Sequence, residues 1–319
     1  MQKKIDKLKA MSLSLATIPL ALGVVVATPQ FAEAAAVRSG FDSDVLAAND
    51  DGSTGLVPIG FDVNLGGNVT DELYVNNNGN VTFDSALRTY TPFNIETTDR
   101  DIIAPFFADV DTRGENSSLV TYGMETIDGR DAFGVNWVDV GFFASNDDPL
   151  NSFQLVLIDR SDVEAGAFDI EFNYDQILWE TGEASNGDSN GLGGSSARAG
   201  YAYGEGDERV SLELPGSAVN GALLDGRPNA LISDRLNSDL DGRYLFSARD
   251  GEIMVDPVVD PVVDPVVDPV VDPVVDPVVD PVVDPTPTPD TATTPEPASI
   301  LGLFALGVVG TLKRKKAAS

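Results

Sequence analysis

The stretch "AFDIEFNY", residues 167–174, alternates strictly: Phe168, Ile170, Phe172 and Tyr174 fall on one side of an extended chain, and Asp169, Glu171 and Asn173 on the other. Side chains along a strand point to opposite faces with a period of two, so the octet reads as a strand half-buried against a core. Similar runs recur at "LYVNNNGNVTF", "IIAPFFADV", "SLVTYGM", "AFGVNWVDVGFF", "SFQLVLI", "RAGYAYG", "VSLEL" and "RYLFSA", separated by clusters of Gly, Asn and Asp. No window sustains an apolar stripe at helical spacing. About ten strands with almost no helix predict an all-β fold, a single antiparallel β-sandwich-like domain over residues 37–251. Within it "VNNNGNV" reads as a hairpin, with Asn78-Gly79 supplying the backbone freedom of a tight turn.

Composition narrows the function. The 319 residues contain no cysteine and no histidine, which removes disulfide frameworks, Cys/His metal sites and every catalytic arrangement that uses imidazole. Residues 37–255 carry 39 Asp and Glu against 12 Arg and no Lys, a balance of −27. Such a surface repels nucleic acid, so no nucleic-acid partner is expected, and it repels anionic lipid as well. The excess carboxylates serve solubility, or some of them hold calcium, a hard cation that prefers oxygen ligands. A glycosidase needs only two carboxylates at a set separation, but nothing in the sequence singles out a pair, and the domain is expected to be non-catalytic.

The two ends read as addresses. Lys3, Lys4, Lys7 and Lys9 precede an apolar run to about Val26 and the small residues of "AEAAAV", the layout of a secretory signal peptide over residues 1–36 with cleavage after Ala34 or Ala36. From Asp256 to Pro285 the chain repeats Asp-Pro-Val-Val with eight Asp and eight Pro. Proline at every fourth position excludes helix and sheet interior, so residues 252–294 are expected to form an extended, disordered linker or stalk. Ala298 to Leu312 is a run of 15 apolar or small residues, followed by Lys313, Arg314, Lys315 and Lys316. As a helix it would be about 22 Å long, just short of a bilayer core, which suits transient membrane insertion halted by the basic tail.

Two family resemblances are carried by these residues. Pro295-Glu296-Pro297, the short hydrophobic helix and the basic tail, residues 295–316, resemble the PEP-CTERM sorting signal of bacterial exported proteins. That resemblance implies recognition by an exosortase, a membrane protease. "YVNNNGNVTF", "IIAPFFADVDTRG", "NSFQLVLIDR", "FDIEFNYDQILWETG", "ARAGYAYGEG" and "SLELPGS" follow in order the pattern of the nidogen-like (NIDO) extracellular domain. It implies an extracellular module associated with cell–matrix adhesion, with a matrix or polysaccharide component as partner and no established catalytic residue. A calcium-dependent carbohydrate-binding module is the alternative function.

Three places are candidate sites. Asp109 and Asp111 in "APFFADVDTRG" project to one side of an extended segment and could bind metal. As an EF-hand loop this segment fails, since Arg113 replaces an oxygen ligand and Val120 stands where a bidentate Glu is needed, and pairing of Asp111 with Arg113 or Arg100 is the competing expectation. Asn237, Asp239, Asp241 and Gly242 reproduce the first half of a calcium loop whose twelfth position is Ala248, or simply turn the chain into the next strand. Trp179, ahead of a loop with Asn186, Asp188 and Asn190, could stack on a sugar if exposed, and otherwise belongs to the core. Trp137 is assigned to the core.

Overall fold

In the computed structural model, which describes residues 35–255, the alternating runs become β1 (Asp44–Val45), β2 (Ser53–Leu65), β3 (Asn68–Asn76), β4 (Asn80–Thr82), β5 (Ile102–Phe107), β6 (Val110–Asp111) and β7 (Thr121–Ile127). They continue as β8 (Arg130–Phe142), β9 (Asn146–Asp159), β10 (Phe168–Gln176), β11 (Arg198–Tyr203), β12 (Val210–Glu213), β13 (Arg243–Arg249) and β14 (Glu252–Met254). Helix among the described residues is limited to three 3-10 turns, at Ile95–Thr97, Glu183–Ser185 and Gly206–Glu208. Residues 1–34 of the expected signal peptide, the Asp-Pro-Val-Val repeat from residue 256 and the expected C-terminal helix lie outside the described residues. The linker expected from residue 252 begins later than its composition implied: Glu252–Met254 pair with β13 through backbone hydrogen bonds and belong to the sheet.

The strands form an eight-stranded sheet in the order β1-β7-β8-β9-β10-β13-β14, with β6 also on β8, and a six-stranded sheet in the order β12-β11-β5-β4-β3-β2. Every strand pairing is antiparallel. The expected all-β sandwich is therefore present, and its core lies between the two inner faces. Trp137 stacks on Phe153 at 5.3 Å, and Phe106 meets Phe153 at 5.2 Å and Trp179 edge-on at 5.9 Å. These aromatic rings bury large apolar areas, and each polar edge finds a partner. The Trp137 indole donates to Asn77 O, the Trp179 indole to Val140 O, and the Tyr174 hydroxyl to Pro105 O.

The strand that opened the sequence reading is central, with β9 on one side and β13 on the other. Phe168, Ile170, Phe172 and Tyr174 are buried as the alternation requires. Its polar side departs from the half-buried expectation, because Glu171 is 3% exposed and Asn173 0%. The cover is the N-terminal segment. Ala36 N donates to Asp175, Gln154 donates to Arg38 O, and Asn136 donates to Gly40 O and Phe41 O. Arg38 forks onto Glu171, Nε at 2.6 Å and Nη2 at 2.8 Å. Phe41 then seats against Ala132, Val156 and Ile158 in a small outer cluster. Gly134 makes the room, since a Cβ there would lie 2.3 Å from Phe41 Cγ.

The smaller sheet is covered too. The excursion between β4 and β5 packs Leu87, Ile95 and Phe93 against Ile102, Ala104 and Phe107 of β5 and Ala202 of β11. All six residues of β5 are buried, which is why "IIAPFF" reads as a continuous apolar run instead of an alternation.

Candidate cation site

The asparagine run of the β3–β4 hairpin is buried throughout: Asn76, Asn77, Asn78 and Asn80 are each at most 1% exposed. The turn demands glycine at position 79, where φ is +73° and a Cβ would lie 1.8 Å from Phe106 O. Around this turn the amides work as a hub. Asn76 Nδ2 donates to Asn80 and Thr82, and Asn80 Nδ2 to Asn78 O. Asn77 Nδ2 donates to Asp50 O at 2.7 Å and to Val110 O at 2.6 Å. Asn78 Nδ2 donates to Asp51 Oδ1 at 2.9 Å. The 49–52 loop ahead of β2 is thus bound on one side to the hairpin and on the other to the residue that follows β6, where Thr112 N donates to Asn49 O and Asn49 N to the Thr112 hydroxyl.

That clamp brings Asp50 and Asp51 to Asp109, which sits between β5 and β6. One carboxylate oxygen from each of the three lies within 4.8 Å of the others. Asp109 is 1% exposed, and neither of its carboxylate oxygens has a hydrogen-bond partner. Asp50 Oδ1 and Asn78 Oδ1 are likewise buried without a partner. Buried polar atoms are normally paired, so four such atoms around one corner form a distinct feature of the domain. Gly182 closes the wall with its backbone, where a Cβ would lie 2.5 Å from Asp109 Oδ2. Burial first, and then the charges of Asp50, Asp51 and Asp111, push the Asp109 carboxyl up to about 8. Asp50 is pushed up to about 6, again mainly by burial, with Asp111 and Asp51 adding to it.

Asp111 has a different fate. It is fully buried beside the corner, and its carboxylate accepts from Arg113 Nε at 2.8 Å, Arg113 Nη2 at 2.6 Å, Arg113 N at 2.9 Å and Ser145 N at 2.8 Å. Burial acts to raise its pKa, but these bonds outweigh it and hold the group below its ordinary value. Of the two aspartates read together from the sequence, the structure brings Asp109 to the cluster and gives Asp111 to Arg113. Arg113 also reaches Asp50 Oδ2 at 2.9 Å, while Arg100 pairs with Asp84.

The other candidates do not gather into sites. Asn237 Nδ2 donates to Leu245 O and Val255 O, and Asp241 is paired with Arg235. Asp239 stays at the turn outside any acidic group, the Asp50-Asp51-Asp109 corner being the one such group among the described residues. Trp179 is 0% exposed, which corrects its reading as a sugar platform: its ring packs on Phe106 and Phe142 and offers no face to a ligand. Asn186, Asp188 and Asn190 are exposed, and Asp188 caps its own turn by accepting from Asn190 N and Leu192 N. The sorting residues Pro295, Glu296, Pro297, Lys313, Arg314, Lys315 and Lys316, and the cleavage residue Ala34, lie outside the described residues.

Asp50 and Asp51 were missed by the sequence reading. "NDDG" at residues 49–52 has the composition of an ordinary turn, and its meeting with Asp109 depends on strand order, which no local pattern encodes.

Comparison with known proteins gives these observations a setting. The model of the Nidogen-like domain matches residues 71–250, and that of the PEP-CTERM protein-sorting motif matches residues 293–316. Alpha-tectorin of Mus musculus is 35% identical over 227 residues, covering 64% of this chain, and alpha-tectorin of Homo sapiens is 34% identical over the same length. Nidogen of Drosophila melanogaster is 28% identical over 227 residues, 63% of this chain. The alignments take in 10% of either alpha-tectorin and 15% of that nidogen, so the chain corresponds to a small part of each. No solved structure matches it significantly. Two strands of the sandwich, β1 and β2, and the 49–52 loop precede the part matched by the domain model.

Proposed function

From a chain that belongs to the nidogen-like domain family and ends in a PEP-CTERM sorting motif, we infer an exported bacterial protein of the cell surface or extracellular matrix, non-catalytic, with an adhesion or structural role. The observation that carries this reading is the presence of both segments on one chain: one is an extracellular module, the other an address for export. An exosortase is the processing partner, acting near Pro295-Glu296-Pro297 while the following segment pauses transiently in the membrane. The acidic Asp-Pro-Val-Val stretch serves as the stalk between module and address. Among the described residues no helix is long and apolar enough to cross a membrane.

Signal cleavage after Ala34 would keep Ala36, which is buried, donates to Asp175 Oδ1 at 2.7 Å and accepts from the Arg243 guanidinium. Cleavage after Ala36 would remove those contacts and leave the new amino group at Val37, whose nitrogen lies 3.1 Å from Asp175 Oδ1; either cut preserves the Arg38–Glu171 fork. The carbohydrate-binding alternative loses its aromatic platform with the burial of Trp179.

The reading is tested by mass spectrometry of the protein collected from the cell surface and medium of its own host. The expected mature chain starts between residues 34 and 38 and lacks Lys313 to Lys316. Replacing Pro295, Glu296 and Pro297 with alanine should hold the chain in the membrane fraction. Recovery of extracellular protein with Lys316 attached would overturn the sorting assignment.

A further inference from the structure

We infer that Asp50, Asp51 and Asp109 form a binding site for a divalent, oxygen-preferring cation, calcium by its chemistry, which clasps the 49–52 loop to the end of β5. The inference stands apart from the adhesion reading and rests on the geometry of the corner. Three carboxylates converge within 4.8 Å, and the innermost, Asp109, is 1% exposed with both oxygens unpartnered. Two further oxygens at the same corner, Asp50 Oδ1 and Asn78 Oδ1, are buried and unpartnered as well. The donors that do reach the corner, Asn78 Nδ2 on Asp51 Oδ1 and Arg113 on Asp50 Oδ2, leave these four oxygens unanswered.

No protein cation fills the gap. Arg113, the nearby arginine, spends its guanidinium on both oxygens of Asp111 and on Asp50 Oδ2, leaving Asp50 Oδ1 and both Asp109 oxygens without a donor. A bound ion of charge +2 offsets the repulsion that the cluster otherwise carries. The converging donor set is entirely oxygen, three carboxylates, which excludes the thiolate and imidazole coordination that zinc and copper favour. Calcium takes six to eight oxygens at roughly 2.3–2.6 Å and tolerates irregular geometry and bound water, which suits a site open on the side of Asp50 and Asp51. Magnesium demands a near-ideal octahedron and keeps most of its water, so it should compete weakly. The raised pKa of Asp109 agrees with a carboxylate placed for a counter-ion.

The site also has a structural logic. Asp109 belongs to the strand-to-strand connection at the sandwich end, whereas Asp50 and Asp51 belong to the segment that feeds β2, an edge strand. An ion between them ties the edge of the smaller sheet to the junction of the two sheets in a chain without disulfides.

The test is thermal unfolding of the full chain, stripped with a chelator and then measured alone, with about 5 mM magnesium and with about 5 mM calcium, a concentration above the 10⁻⁴–10⁻³ M affinities of extracellular modules. Calcium should raise the melting temperature by about 3–10 °C and magnesium by much less. Asp109→Asn keeps the shape, removes the central ligand charge and should abolish the calcium shift. Asp51→Asn, at a partly exposed position where the amide oxygen can still accept from Asn78 Nδ2, should weaken calcium affinity at least tenfold by calorimetric titration. Asp239→Asn should leave the shift intact. Absence of both shift and binding heat in the unaltered chain, or a full shift retained by Asp109→Asn, would overturn the assignment.

Discussion

Glu171 and Asp109 are both carboxylates with almost no access to solvent, one at 3% and the other at 1% exposure, and the fold treats them in opposite ways. Glu171 receives the Arg38 fork, the Asn173 amide at 3.2 Å and the Arg243 guanidinium at 3.8 Å. Although burial alone would raise its pKa, these partners hold it below its ordinary value. Asp109 receives no donor, and the same burial pushes it up to about 8. The contrast teaches that this domain can answer a buried charge where the answer is structural, and that the unanswered one marks a place kept for something from outside.

The largest break in that comparison comes at the satisfied end. Glu171→Ala leaves Arg38, Arg243 and Asn173 without their common acceptor and frees the N-terminal segment, and should cost about 2–4 kcal/mol in urea unfolding. The pH dependence follows with a definite sign. Since the folded-state pKa of Glu171 is depressed, its contribution is present in full above the unfolded value of about 4.3 and disappears as the pH falls through the lower folded value. The unaltered chain should therefore lose stability on acidification below about pH 4.5, and Glu171→Ala should have a flatter acid limb.

At the unsatisfied end the sign reverses. Without calcium, Asp109→Asn should stabilise the chain by about 1–3 kcal/mol at pH 8.5, because it removes a buried charge that has no partner. A substitution that destabilises the calcium-free protein would mean that Asp109 has a structural partner after all. The smallest effect is expected at the exposed loop, where Asp188 bonds only its own turn: Asp188→Asn should change stability by less than about 0.5 kcal/mol and leave calcium binding untouched.

How far the sequence led is visible in these same residues. The alternation of "AFDIEFNY" gave the strand and its inward face correctly, because a period of two is a local property of extended chain. It misjudged the outward face, since the segment that covers Glu171 and Asn173 arrives from Ala36 to Phe41, far away in the chain. The asparagine run was legible as a turn around Gly79, yet its burial was not: polar residues look exposed until the donors and acceptors that satisfy them are known. Asp109 was legible as a candidate ligand from its place near a strand end. Its true companions were hidden, because Asp111, two residues away, turns to Arg113, whereas Asp50 and Asp51 reach it only through the pairing of distant strands. Trp179 was ambiguous for the complementary reason. A tryptophan beside a Gly- and Ser-rich loop looks the same in sequence whether the loop exposes it or covers it.

The most direct measurement is anomalous X-ray diffraction from crystals of the protein grown with calcium. The account predicts an anomalous peak about 2.4 Å from carboxylate oxygens of Asp50, Asp51 and Asp109, with Asp111 still forked to Arg113. A corner with no such peak, in which ordered water alone donates to both Asp109 oxygens, would contradict it.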